Sequence, residues 1–157
     1  MELFYAGDGE VSAEAVQALE PLGVTLLDLY HHHVDTVGVS GGAFAHIPLR
    51  GWQAKAMAVQ AASFEEILWL DCDCLPVQDP APLFDSDEYR RTGNLFWPDL
   101  SVDPHWLTAG FLQRYGLDMR EGDRELDAGQ FVLHRLRCWA PLQVAVPFCA
   151  HLACWRH

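Results

Sequence analysis

The sequence predicts an α/β protein, because strand-like and helix-like segments alternate along it. A short apolar run, Leu3 to Ala6, is closed by a glycine turn, and a segment with helical spacing begins after Ser12, a typical helix N-cap. A second apolar run, Val24 to Leu29, completes a strand–helix–strand unit. Because parallel strands need such crossovers, we expect a sheet covered by helices on its faces.

The remaining segments continue this alternation. Residues 37–49 are rich in glycine and predict a loop, and residues 51–63 have the Ala, Met and Gln content of a helix. The apolar run Leu68 to Leu70 predicts a central strand, and the prolines after it predict a rigid extended loop. Three later elements are expected: strands at Leu95 to Trp97 and Gln130 to Leu133, and a closing helix from about Cys138.

Length and composition limit the possible functions. The 157 residues, half of them hydrophobic, predict one domain over residues 1–157. The net charge of -12 argues against nucleic acid as a partner, since phosphate-backbone binding rests on clustered Lys and Arg. An anionic ligand would need a bound cation to offset this charge. No apolar stretch approaches the roughly 20 residues of a membrane span, so none is expected in this chain.

Two carboxylates, Asp71 and Asp73, follow the predicted central strand. Ligands of open α/β sheets bind at the carboxyl ends of strands. In extended backbone, residues two positions apart point the same way, so the pair is able to present oxygen ligands to one hard cation, Mn²⁺ or Mg²⁺. Taken alone, this spacing favours the alternative, an exposed loop in which two aspartates cap a turn. The Leu-Trp-Leu run before the pair and the Cys-Leu-Pro after it favour a site.

A hydrophobic strand that ends in Asp-x-Asp also opens the phosphatases of the haloacid-dehalogenase type. In those enzymes the first Asp is a nucleophile and the second an acid/base, and a Thr or Val after the pair and a downstream lysine complete the site. Here Cys74 and Leu75 follow the pair, and the single lysine, Lys55, lies upstream. The sequence therefore favours metal ligation over the phosphatase role.

Several motifs occur together in a fixed order from Lys55 to Asp99. They read "SFEE", "WLDCDCLPVQDP", "LFD", "EYRRTG" and "LFWPDL", and a later block, "ELDAGQFVLHR", spans Glu125 to Arg135. As a set they resemble the fungal alpha-mannosyltransferases of the Mnn1 type, and the opening "ELFYAGD" is similar to that family's second strand. The sequence departs from the family pattern at Cys72 and Cys74, and at Ala128, where the family has serine.

The resemblance implies a GT-A-like, Rossmann-like fold with a mixed sheet flanked by helices, which we expect to be incomplete at both ends of this chain. It also implies a metal-dependent, retaining transfer of mannose from GDP-mannose to a carbohydrate or glycoprotein acceptor. In such an enzyme Asp71 and Asp73 would bind Mn²⁺, or Mg²⁺, together with the donor diphosphate.

The resemblance gives further residues candidate roles, each with a structural alternative. Asp127 and Gln130 are candidate catalytic residues that would hydrogen-bond sugar hydroxyls, or they only shape the turn before a strand. Lys55 would help neutralise the diphosphate, or it is a solvated helix residue. Trp97 and Asp99 would wall the acceptor side, although Trp97 is equally compatible with a core position.

Two matters stay open at the level of sequence. The first is whether the chain is an enzyme or a non-catalytic remnant of the fold that binds sugar or a partner. The second is its location. A fungal-type homologue with an N-terminal anchor would lie in the Golgi lumen, and a bacterial-type homologue in the cytoplasm.

Overall fold

The computed structural model describes residues 1–31, 53–100, 113, 116 and 124–152. The predicted loop at 37–49 and the first two residues of the predicted helix at 51–63 lie outside these ranges. The chain divides into two compact units, Met1–Ile67 with His134–His157, and Leu68–Leu133, with boundaries that fall inside two strands. Both units combine strands and helices, which confirms the predicted α/β class. The prediction of a single domain stays a prediction.

The first unit contains the predicted strand–helix–strand segment. Strands β1 (Glu2–Tyr5) and β2 (Thr25–Asp28) pair in parallel, and α1 (Ala13–Leu19) connects them. The Ser12 hydroxyl accepts a hydrogen bond from the Ala15 N–H at 3.2 Å, as expected of an N-cap. Gly23, with φ of 68°, ends a 3₁₀ turn in the left-handed conformation and redirects the chain into β2.

Two helices supply most of the core of the first unit. They are α2 (Gln53–Ala61) and the closing helix α4 (Trp139–Leu152). They pack against each other, and the apolar side chains that they bury are Met57, Ala58, Val59, Ala61, Leu142 and Val146. Both helices are confirmed, the second within one residue of its predicted start.

The second unit is built on a three-stranded sheet in the order β3-β5-β4. Its strands are β3 (Glu66–Leu70), β4 (Asn94–Pro98) and β5 (Leu126–His134). Strands β4 and β5 are antiparallel. So are β3 and β5, because Trp69 stacks on Phe131 whereas Asp71, two residues later, hydrogen-bonds to Gly129, two residues earlier. The sheet of the first unit is parallel and that of the second is antiparallel, so the chain contains both kinds of pairing, consistent with the GT-A-like class.

The proline-rich segment after β3 differs from the prediction. We expected an extended loop, but residues Ala81–Asp85 form a 3₁₀ helix and α3 (Asp87–Thr92) follows directly. Ser86 caps α3, acidic residues occupy its first turn, and Gly93, with φ of 78°, ends it. A proline in the first turn is compatible with a helix, so Pro82 marks the start of the 3₁₀ helix rather than extended backbone.

Strand β5 is longer than predicted, since it begins at Leu126 and not at Gln130. The polar residues at its start hide it from hydrophobic patterning, yet β5 lies between two other strands, and its backbone is held on both sides. None of the helices in the described ranges has both the length and the apolar character that crossing a membrane requires.

Candidate functional site

The site lies at one end of the three-stranded sheet. Asp71 directly follows β3, and its N–H donates to the Gly129 carbonyl at 2.8 Å. Asp99 directly follows β4, and its N–H donates to the Glu125 carbonyl, also at 2.8 Å. Because β3 and β4 both run antiparallel to β5, their carboxyl ends meet the start of β5, which carries Asp127. Tertiary structure thus brings Asp71, Asp99 and Asp127 to the same end of the sheet.

Trp69 holds one oxygen of Asp71. Its indole Nε1–H donates to Asp71 Oδ1 at 2.9 Å, since residues two apart on a strand share a face. The Trp69 ring stacks on Phe131, with centroids 5.8 Å apart and planes 5° from parallel. Phe131 in turn contacts Phe96, whose centroid is 5.4 Å away. The carboxylate therefore adjoins a row of three aromatic rings on one face of the sheet.

Gly129 leaves space between two carboxylates. A Cβ atom placed on Gly129 would lie 3.1 Å from Asp127 Oδ1 and 3.7 Å from Asp71 Oδ2, and 3.5 Å from the Cys74 sulfur. The two carboxylate oxygens are therefore no further apart than the sum of those two distances. Gly129 does not have positive φ, so the site requires its small size and not its backbone freedom. Its N–H also donates to Asp127 Oδ1 at 2.7 Å.

Asp73 lies on an exposed turn. The Cys74 N–H donates to the Asp71 carbonyl at 2.9 Å, so residues 71 to 74 form a β-turn with Asp73 at its third position. The expectation that extended backbone points Asp71 and Asp73 the same way is therefore wrong. Joint metal ligation by this pair stays a prediction, and it now depends on the turn to bring the exposed Asp73 carboxylate toward the ion.

The other candidate residues occupy different places. Alternation puts Gln130 on the face opposite its neighbour Phe131. The β4–β5 register shifts between Leu126 and Phe131, so this alternation does not extend to Asp127. Trp97 is half-buried at the irregularity between Phe96 and Pro98, where the β4–β5 register shifts. Lys55 lies on α2 in the first unit and is half-buried. The proposed roles of Gln130, Trp97 and Lys55 stay predictions.

The carboxylate oxygens at this end of the sheet are suitable ligands for a hard cation. Carboxylate oxygens are the ligands that Mg²⁺ and Mn²⁺ take in proteins. Glu125, which directly precedes β5, has a buried Oε1 with no hydrogen-bond partner among the described residues, as an acceptor at an incomplete site would. Within the described ranges, no group of three His, Cys, Asp or Glu side chains is arranged to hold an ion alone. Phosphate oxygens or water would have to complete its coordination.

Comparison with known sequences places the chain in a family. The profile of the family Mannosyl_trans3, described as "Mannosyltransferase putative", matches residues 1–137, which is most of the chain and includes the whole candidate site. The chain belongs to this mannosyltransferase family. The resemblance to fungal Mnn-type enzymes that the motifs indicated is thereby confirmed.

Curated relatives of this mannosyltransferase family member match it over shorter segments. The alpha-1,2-mannosyltransferase MNN21 of Candida albicans is 42% identical over 50 residues, 32% of this chain and 8% of the relative. MNN24 of the same yeast is 38% identical over 63 residues, 38% of this chain and 9% of the relative. MNN2 of Saccharomyces cerevisiae is 40% identical over 50 residues, 32% of this chain and 8% of the relative. The matched segments thus span less than a tenth of each relative. No solved structure is significantly similar to the chain.

Two residues of this site, Trp69 and Gly129, were missed by sequence reasoning. The sequence pattern identifies Trp69 only as part of an apolar strand, although its position two residues before Asp71 indicates a shared face. Gly129 carries no signal of its own in a single sequence. Its importance comes from the pairing of β3 with β5, which places it against Asp71.

Proposed function

We propose that this protein is a metal-dependent mannosyltransferase that transfers mannose, with retention, from GDP-mannose to a carbohydrate or glycoprotein acceptor. One observation carries the proposal: in a chain of a mannosyltransferase family, the carboxylates of Asp71 and Asp127 converge beside Gly129 at the end of a strand. The matched relatives are named alpha-1,2-mannosyltransferases, which supports mannose as the transferred sugar.

The departing diphosphate sets the main chemical demand on the site. Negative charge builds on it as the bond between sugar and phosphate oxygen breaks, and a bound Mn²⁺ or Mg²⁺ would stabilise that charge. In this proposal Asp71 and Asp73 hold the ion. Two carboxylates plus substrate phosphates are a usual way to bind Mg²⁺, which fits a site with few protein ligands.

Asp127 is proposed to orient the sugar. Its Oδ1 accepts the Gly129 N–H, and a carboxylate has capacity for further donors, such as sugar hydroxyls. The hydrogen bond to the adjacent backbone fixes the carboxylate direction, as a sugar-orienting residue needs. Gln130 lies three residues further into β5, next to the buried Phe131, whereas Asp127 lies near the end of the sheet that carries Asp71, so Asp127 is the stronger candidate.

Three more residues complete the proposal. Trp97 and Asp99 are assigned to the acceptor side, and Lys55 to the donor diphosphate, as the family resemblance implies. Asp99 lies at the same sheet end as Asp71, which supports its assignment. The support for Lys55 is its sequence position alone.

Calorimetry tests the donor and metal parts of the proposal. GDP-mannose is titrated into wild-type protein with Mn²⁺ and then with EDTA. Binding should require the ion, and Asp71→Asn should weaken it at least about 10-fold, since loss of an outer-shell partner alone costs that much. Asp79→Asn is the matched control, because Asp79 is an exposed aspartate of the same loop and its Oδ1 acceptor is kept. Absence of metal-dependent nucleotide binding refutes the proposal.

A transfer assay tests the reaction itself. Purified protein, GDP-mannose, Mn²⁺ and an alpha-mannoside acceptor should yield a product whose new linkage is alpha by NMR, as retention requires. A beta linkage contradicts retention. Metal-dependent binding without transfer or donor hydrolysis would instead support the non-catalytic remnant.

A further inference from the structure

We infer that Trp69 is a positioning residue that orients the Asp71 carboxylate for metal binding. This inference rests on the proposed function, because it assigns Asp71 the role of metal ligand. It gives Trp69 a role that the Asp-x-Asp spacing does not assign.

The geometry fixes the indole in place. Its Nε1–H lies 2.9 Å from Asp71 Oδ1, well within hydrogen-bond distance, and this N–H is the only polar group that a tryptophan side chain carries. The Trp69 ring cannot turn away without losing its stack on Phe131, which is 9% exposed. Phe131 is held in turn by Phe96. Packing of the aromatic rings therefore fixes the position of the Trp69 indole N–H.

A fixed Oδ1 also determines where the second oxygen points. Asp71 Oδ2 lies 3.7 Å from the Cβ position of Gly129, and Asp127 Oδ1 lies 3.1 Å from the same position. Rotation of the Asp71 carboxylate would lengthen the indole hydrogen bond and move Oδ2 from its place beside Gly129. Trp69 therefore selects the carboxylate orientation in which the two aspartates converge.

An indole donor suits this task because it carries no charge. A Lys or Arg at the same place would orient Asp71 equally well but would offset the negative charge that attracts a cation. A neutral N–H orients a ligand without competing with the metal. Such outer-shell partners typically contribute 10–100-fold to metal affinity or activity.

The substitution Trp69→Phe removes the N–H and keeps an aromatic ring to stack on Phe131. Binding of Mn²⁺ in the presence of GDP, followed by electron paramagnetic resonance of the free ion, should weaken about 10-fold or more. Trp139→Phe is the matched control, because Trp139 is 40% exposed on α4 and has no part in the site. It should bind Mn²⁺ and GDP as wild type does.

A spectroscopic readout separates positioning from packing. In ¹⁵N-labelled wild type, Mg²⁺ with GDP should shift the Trp69 indole N–H signal, assigned by its absence in Trp69→Phe, because its acceptor becomes a metal ligand. Equal Mn²⁺ affinity of Trp69→Phe and wild type, or an unshifted indole signal, overturns the inference while the proposed function stands. If wild type binds no Mn²⁺ with GDP, both fail together.

Discussion

Gly129 acts in this protein through the space that its missing side chain leaves. The carboxylates of Asp71 and Asp127 approach the point where a Cβ would stand, and the nearer contact, at 3.1 Å, is closer than side chains normally pack. The addition of a single methyl group at Gly129 therefore tests whether the closeness of these two carboxylates matters.

We expect Gly129→Ala to weaken Mn²⁺-dependent GDP-mannose binding about 10-fold, the scale on which displaced ligands affect metal sites. The methyl group would push Asp127 Oδ1 away and break the convergence, whereas the backbone tolerates alanine. Calorimetry measures the affinity. Val77→Ala, at a side chain that is 91% exposed, should bind as wild type does. Equal loss in both variants would contradict a role for space at Gly129.

Asp28 stabilises the first unit in a pH-dependent way. Burial raises the pKa of its carboxyl, but hydrogen bonds from the Tyr30 N–H, the His31 ring and the Gly7 N–H together hold the pKa below its usual value. A lowered folded-state pKa means stability that is present above the unfolded pKa, about 4, and is lost as pH falls through the folded pKa.

We expect Asp28→Asn to destabilise the protein at pH 7 by about 1 kcal/mol, since its amide keeps one acceptor oxygen but loses the charged hydrogen bonds. Below about pH 4 the difference from wild type should shrink, because the wild-type carboxyl is then protonated. Urea unfolding at a series of pH values measures both effects. The exposed Asp8→Asn should show neither. A difference that grows toward low pH would refute the assignment.

At the scale of elements, α3 shows how local signals build a short helix. It has six residues, too few to be stable without help at its ends. Ser86 supplies that help at the start: its hydroxyl accepts the Tyr89 N–H at 3.3 Å and donates to the Leu83 carbonyl at 2.8 Å. The helix also buries Tyr89, which is 2% exposed and packs edge-on against Phe84.

We expect Ser86→Ala to lower the free energy of unfolding by about 0.5–2 kcal/mol, because it removes a helix cap. The change is measured by urea or thermal unfolding. Ser86→Asn restores an acceptor for the Tyr89 N–H and should recover part of the loss. Val77→Ala, at a side chain that is 91% exposed, should change stability by less than about 0.5 kcal/mol. No difference between Ser86→Ala and Val77→Ala would argue against the cap.

At the scale of the whole molecule, charge and ligand binding are linked. The chain carries a net charge of -12, which repels an anionic nucleotide and attracts divalent cations. In the proposed function, a cation that bridges the acidic site and a diphosphate would relieve this repulsion. Ligands that bind only the folded state raise its stability by mass action.

We expect GDP with Mn²⁺ to raise the melting temperature. At a ligand concentration 100 times the Kd, the free energy of unfolding should rise by about 2.7 kcal/mol. GDP with EDTA should give no shift, because the anion then meets the carboxylates without a cation. Guanosine lacks the diphosphate, so guanosine with Mn²⁺ should raise the melting temperature little more than Mn²⁺ alone does. A shift by GDP that survives EDTA would exclude a metal bridge.

The sequence by itself determined the features that depend on neighbours along the chain. Caps, turns and apolar runs act over a few residues, so the first strand–helix–strand unit, both core helices and the strand before Asp71 were predictable. The family motifs, also local, indicated the mannosyltransferase family. The start of β5 escaped prediction because its polar residues become a strand only by pairing on both sides.

Tertiary structure alone decided which groups meet. Antiparallel pairing of β3 with β5 placed Gly129 and Asp127 beside Asp71, and a β-turn moved Asp73 onto an exposed position. Trp69 became a partner of Asp71 once its ring was held by Phe131. These contacts join residues far apart in sequence, whose distances depend on strand register, and register is set by the packing of the whole sheet.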